Sequence, residues 1–302
     1  MKIALFSPVI ICFTVICFGA SALAAVYEKK VIWYIFDIRP THFIDGEEKG
    51  SGFADYVQAK LIENMTEYQH SVQIVSVARL VADLKAGKPF CTINGFYGGA
   101  PFPTAYSAPY NISRARHVVY LKNKKSEILQ GKSSVSFESL ITNKKLIFGH
   151  MDGAPYHPKI NSLLIKHQSK ENVFVRSDSS RMSKGLFEML IKGRIDYMLS
   201  ILNVKKYYSS RIKGGEMLEA FIPTESKDFL ELVAPNCTGG EWGESVVKDI
   251  NKVLVRVRPT SEFRKKLEKY HLEPGREKIY RDLYEKEVLT RNEYRSDLEI
   301  EQ

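Results

Sequence analysis

The sequence predicts an α/β protein of two lobes, each a mostly parallel sheet flanked by helices, with two strands crossing between them. Three observations predict it. Residues 31–93 alternate strand, helix, strand, helix, strand, the order that builds a parallel sheet with right-handed crossovers. The same alternation restarts between residues 146 and 201. Two cysteines remain beyond the N-terminal segment, Cys91 in the first block and Cys237 past the second. One such pair in an exported chain suggests a disulfide; two separate buried thiols are the alternative. A bridge would return the chain to its first lobe, with the second inserted.

Export itself is read from the N-terminus. Lys2 is followed by an apolar, uncharged run over residues 3–20, and residues 21–25 offer an A-x-A cleavage site. This is the pattern of a secretory signal peptide over residues 1–25. The run is nearly long enough to span a membrane, but the small-residue site favours cleavage, with no membrane insertion afterwards. Cys12 and Cys17 leave with it.

The elements follow in order. Residues 31–37 are an apolar run of β-formers, broken at Arg39-Pro40. Phe53, Tyr56, Val57, Leu61, Ile62 and Met65 recur at helical spacing. Residues 71–77 alternate like a strand, and residues 78–87 form a short helix stopped by Gly87. Residues 90–93 are the next strand. Turn dipeptides and three prolines follow, interleaved with Phe96, Tyr97, Phe102, Tyr106 and Tyr110. A proline-stiffened loop carrying five rings after a strand reads as the wall of a ligand site; the plainer reading is that the rings tuck into their own core. Residues 117–121 are a strand, and residues 137–140 a short helix. Strands are expected at 146–149, 173–176 and 195–201, with helices at 156–168 and 181–192 between them. A strand at 229–234 precedes helices at 244–257 and 261–270, and residues 277–302 are a charged helical tail.

The chain has 302 residues, is 44% hydrophobic and 26% charged, and carries a formal charge of +9. Its Lys and Arg residues are scattered among acids on helices rather than blocked with stacking rings, which speaks against nucleic acid. No nucleophile elbow, zinc-protease helix or phosphate loop is present, and no cofactor is expected. His150 and His157 flank Asp152, but loop histidines at such spacing are more often unliganded than metal-bound.

Several motifs together resemble the type II periplasmic solute-binding proteins of the amino-acid-binding kind, bacterial extracellular solute-binding protein family 3. They are Pro40 in the loop after the first strand, Gly52-Phe53-Ala54-Asp55, Leu84-Lys85-Ala86-Gly87, Tyr106-Ser107-Ala108-Pro109-Tyr110, and Leu190-Ile191-Lys192-Gly193-Arg194-Ile195-Asp196. The resemblance implies lobe one at residues 26–121 plus 226–275, an inserted lobe two at 122–225, and a tail at 276–302. It also implies a periplasmic protein that closes on a small molecule for an ABC transporter permease or a membrane sensor. The family's ligand clamps are missing here: Ala100 stands in place of its arginine, Ala154-Pro155 in place of its hydroxyl-rich helix start, and Ile201 in place of its acid. Unless Arg39, Arg176 or Arg181 substitutes for that clamp, a standard free amino acid is therefore not the expected ligand. The expected cleft set is Arg39, Phe43, Asn94, Phe96, Tyr97, Tyr106, Tyr110, Asp152, Tyr156, Arg181 and Asn203. Two other functions stay open: a lyase- or dehydratase-like periplasmic enzyme with Asp37 or Asp152 as general acid, and a docking module working through the tail.

Overall fold

The computed structural model describes residues 29–98, 103–114, 116–152, 154, 156, 158–167, 171–176, 182–222, 230–238, 240–272, 275 and 277–297. The proposed signal segment lies outside them.

The chain begins with β1 (Lys29–Ile35), α1 (Phe53–Asn64), β2 (Tyr68–Ile74), α2 (Val77–Lys85), β3 (Cys91–Phe96), β4 (Thr104–Tyr106) and β5 (Asn111–Arg114). β1 is an interior strand with a buried apolar run: Val31, Trp33, Tyr34 and Ile35 are all in the core. It pairs in parallel with β2 and β3. Asp55 starts α1 by accepting hydrogen bonds from the Gly52 and Phe43 amides at 2.9 and 3.0 Å, a carboxylate at the positive end of the helix. His42 Nδ1 sits 2.6 Å from the same carboxylate. A β-carbon on Gly52 would collide with the Thr41 carbonyl, so this turn needs glycine. Ser76 caps α2 by accepting from the Arg79 amide at 3.1 Å.

Next come β6 (His117–Leu121), α3 (Lys125–Leu129), α4 (Phe137–Thr142), β7 (Phe148–Met151), α5 (Pro158–His167), β8 (Val173–Arg176), α6 (Met182–Ile191), β9 (Tyr197–Ser200), α7 (Leu202–Ser209) and β10 (Met217–Ala220). Their strands form a second sheet in the order β10-β6-β9-β7-β8. The chain then returns as β11 (Leu230–Cys237), α8 (Glu241–Val257), α9 (Ser261–His271), α10 (Glu277–Leu283), a π-turn (Tyr284–Val288) and β12 (Arg295–Asp297). The first sheet runs β12-β4-β11-β3-β1-β2, with β5 also paired to β11. The two passages between sheets are β5 to β6 and β10 to β11.

Four differences from the sequence expectation follow. Both sheets are mixed rather than mostly parallel, because β11 pairs antiparallel with β3, β4 and β5 and β6 pairs antiparallel with β9 and β10. Residues 117–121, expected in lobe one, belong to the second sheet. The ring-bearing loop is partly strand: β4 and β5 use the proline-free stretches on either side of Pro109. The tail is not an appendage either. Tyr280, Tyr284 and Val288 are in the first lobe's core, and β12 pairs with β4.

Arg258 fixes that C-terminal segment. It is 1% exposed. Its guanidinium donates to the Pro109 carbonyl at 2.5 Å, and to the Arg291 carbonyl and the Asn292 side chain at 2.6 Å each. Cys91 and Cys237 form a disulfide between paired positions of β3 and β11.

Candidate functional site

In open α/β sheets, ligands meet the carboxyl ends of the strands. The carboxyl ends of β7 and β9 and the start of α7 face the loop after β1 and the start of α2. There Val77 is buried in one apolar cluster with Met151, Leu186 and Phe187 of the second lobe, and Phe36, Val81 and Ile201 pack against it. Ile201 is thus part of an apolar seam.

A latch closes the outer end of this seam. Phe43 and Tyr207 meet edge to face with centroids 5.5 Å apart. The Tyr207 hydroxyl donates to Glu48 at 3.1 Å, and Arg211 reaches Glu48 at 3.1 Å while lying 3.8 Å over the Tyr207 ring. An edge-to-face pair contributes about 1 kcal/mol and exposed ion pairs less. Tyr207→Ala is therefore expected to shift the lobes toward an open arrangement by up to about tenfold, read as a larger radius of gyration in X-ray scattering; an unchanged scattering curve would refute it.

Arg39 is engaged within this loop. Its Nε donates to Asp37 at 3.0 Å and its terminal nitrogen to the Asp45 carboxylate, with the guanidinium 5.3 Å from the Phe43 ring centre. Two carboxylates already match its charge.

Asn203 joins the lobes at another point. Its amide nitrogen lies 3.4 Å from His271 Nε2. His271 Nδ1 donates to the Leu267 carbonyl at 2.9 Å, which leaves Nε2 as an acceptor, and Asn111 donates to it at 2.9 Å. Burial pushes the His271 pKa down to about 4 from 6.5. The unfolded chain takes up this proton below about pH 6.5 and the folded one only near pH 4, so stability falls as pH drops through that window. Denaturant unfolding at pH 7 and pH 5 is expected to differ by about 1–2 kcal/mol more in the native protein than in His271→Gln; equal differences would refute it.

Two of the five rings expected in the wall do not face solvent. Tyr106 and Tyr110 are both fully buried. Tyr110 packs edge-on to Phe263 at 6.4 Å, and its hydroxyl donates to Asn94 at 3.3 Å. Tyr110 belongs to the first lobe's core cluster. Tyr97 packs on Tyr106 at 5.9 Å and is covered by Arg295 at 6.0 Å; Phe96, at the end of β3, is half-buried. Asp152 is exposed. Arg181, His157 and Ala100 lie outside the described residues. Among those described, no helix is long and apolar enough to cross a membrane, and no group of three acids, histidines or cysteines could hold a metal ion.

The structure adds Arg116, His150 and Glu231, which the expected cleft set left out, to Tyr156, which it included. Tyr156, in the approach to α5, lies under Arg116, whose guanidinium carbon is 4.8 Å from the ring centre. His150 lies 6.4 Å from the same ring. His150 stacks on Phe148 at 5.5 Å, and its Nδ1 donates to the Met151 carbonyl at 3.0 Å. Burial lowers its pKa, which favours the neutral ring. Burial also raises the Glu231 pKa, against the pull of Arg116. His150 Nε2 and Glu231 Oε2 are both buried without a hydrogen-bond partner. Sequence signals were weak: a charged residue beside each interlobe passage, and a histidine at a strand's carboxyl end.

No protein-family model and no curated protein matches the sequence. Solved structures do match the fold. The substrate-binding protein of an amino acid ABC transporter is 18% identical with a TM-score of 0.57, covering 80% of this chain and 99% of that one. An ancestral amino-acid-binding protein, described as a precursor of cyclohexadienyl dehydratase, is 16% identical with a TM-score of 0.57, covering 80% and 95%. A structure from work on glutathione import through a cystine ABC importer of Streptococcus mutans is 13% identical with a TM-score of 0.61, again covering 80% and 95%. Two sheets, two interlobe passages and the returning β11 thus give this chain the two-lobed fold of the type II periplasmic solute-binding proteins.

Proposed function

We propose that the chain is an exported, periplasmic solute-binding protein that takes up a small molecule between its lobes and presents it to an ABC transporter or a membrane sensor. The observation that carries this is the seam. Two separately cored lobes meet at the carboxyl ends of β7 and β9 through apolar side chains and a surface latch, contacts that can part and re-form. The ligand is not a standard free amino acid, since Ile201 sits in the apolar seam and Arg39 is already matched by two carboxylates. Scattering with and without candidate solutes tests the proposal: a bound solute should compact the protein and raise its melting temperature. A broad solute library that changes neither would defeat it.

A second reading, a lyase- or dehydratase-like enzyme on the same scaffold, draws on Glu231. A buried carboxyl with a raised pKa suits a general acid. Asp37, held by Arg39, and Asp152, exposed, suit it less. Turnover of a bound compound, lost in Glu231→Gln with binding retained, would favour the enzyme.

A further inference from the structure

We propose that Arg116, His150, Tyr156 and Glu231 form a ligand subsite on the hinge side of the cleft, and that it takes an uncharged small molecule bearing paired O–H or N–H donors. This rests on the solute-binding reading above and names the chemistry of its ligand.

Topology brings the four residues together. β6 runs antiparallel to β9 with His117 opposite Ser200, so Arg116 stands at the carboxyl end of β9. β7 runs parallel to β9, so His150 stands near the same end of its own strand. Side chains alternate along a strand. Val118, Tyr120, Phe148, Tyr197 and Leu199 all belong to one core cluster that includes Tyr156. Arg116 and His150 continue that face, and both reach the Tyr156 ring. Glu231 enters from β11, opposite Ser113, at the chain's return to the first lobe. Arg116 is near enough to act on the titration of both Glu231 and Tyr156.

The hydrogen-bond inventory gives the ligand class. His150 is 7% exposed. With its Nδ1 proton committed to the Met151 carbonyl, Nε2 carries only a lone pair. That nitrogen and Glu231 Oε2 are two buried acceptors without donors. Leaving such groups unmatched costs stability, and native proteins rarely do so without a use for them. An anion would meet two lone pairs. A cation would be set beside the Arg116 guanidinium. A neutral hydroxyl or amide group meets neither penalty, supplies the missing donors, and finds Arg116 and Tyr156 as its other neighbours.

Calorimetric titration of the whole exported chain tests this with myo-inositol and ribose (hydroxyl donors), urea and nicotinamide (amide donors), citrate and glutamate (anions) and putrescine (a cation). A neutral probe should bind, and the hydroxyl and amide arms tell its two sources apart. Glu231→Gln keeps shape while replacing one oxygen by a donor, and His150→Phe keeps the stack on Phe148 while removing the acceptor. Each should weaken the neutral probe at least tenfold. Unchanged affinity in both variants, tighter binding of citrate, glutamate or putrescine, or no binding of any neutral probe at millimolar concentration would each overturn the subsite. Lobe compaction by some other compound would then leave the solute-binding reading standing.

Discussion

Replacing Cys91 and Cys237 together by alanine is expected to cost about 5 kcal/mol of stability, the loop-closure value for a crosslink between residues 146 apart. In a chain of this size that lowers the melting temperature by about 10 °C or more. The bridge joins paired residues of β3 and β11, one within the first run of the chain and the other after the whole second lobe. Without it, the unfolded ensemble regains the freedom of that long loop. Both cysteines are at most 1% exposed, so a mild reductant should leave the folded protein intact and act only once it opens. Thermal melts of the double variant check the first point, and thiol labelling in native buffer with reductant checks the second. A melting temperature within a few degrees of the native protein's would contradict the entropic account.

Arg258→Met is expected to be nearly as damaging, costing about 3–5 kcal/mol through three lost charge-assisted hydrogen bonds. The guanidinium is fully buried and donates to three oxygens, two on the segment after α10 and one at Pro109. Burial disfavours its charge, and the fold tolerates it because those oxygens surround it. Methionine fills part of the space and leaves all three acceptors without donors. Lysine supplies charge but not the forked geometry. The π-turn should loosen as well, since the Tyr284 hydroxyl donates to the Arg258 carbonyl at 3.2 Å and needs that backbone in place. Denaturant unfolding gives the loss, and faster hydrogen exchange in residues 277–297 locates it. A loss below about 1 kcal/mol would show that these contacts are incidental.

How much of this was legible in the sequence depended on whether the signal was local. β1 was legible because the six continuous β-formers of Val31–Phe36 need no distant partner to be recognised. The bridge was legible because only two cysteines remain after the N-terminal segment. β4, β5, β10 and β12 were not: each is three or four residues long, too short for a period, and each exists through strands elsewhere in the chain. β2 begins three residues before its alternation predicts, because Tyr68–Ile74 lies at the sheet edge and leaves Val72 and Ile74 exposed. Tyr106 and Tyr110 illustrate a deeper ambiguity. An aromatic ring carries the same local signal whether it lines a cleft or fills a core, and only the return of β11 and α9 decides. Arg116 and Glu231 meet through the two interlobe passages, a proximity that no sequence period encodes.

The order of strands has a further consequence for how the molecule is made. Residues 117–222 contain every strand of the second sheet in one uninterrupted length, so this half has all its partners as soon as it emerges. The other half waits: β3, β4 and β5 lack their common neighbour until residue 230 onward arrives, and β4 stays an open edge until β12 lies down beside it. The later-encoded half is thus free to mature first, while the half that begins the chain is sealed by its final residues.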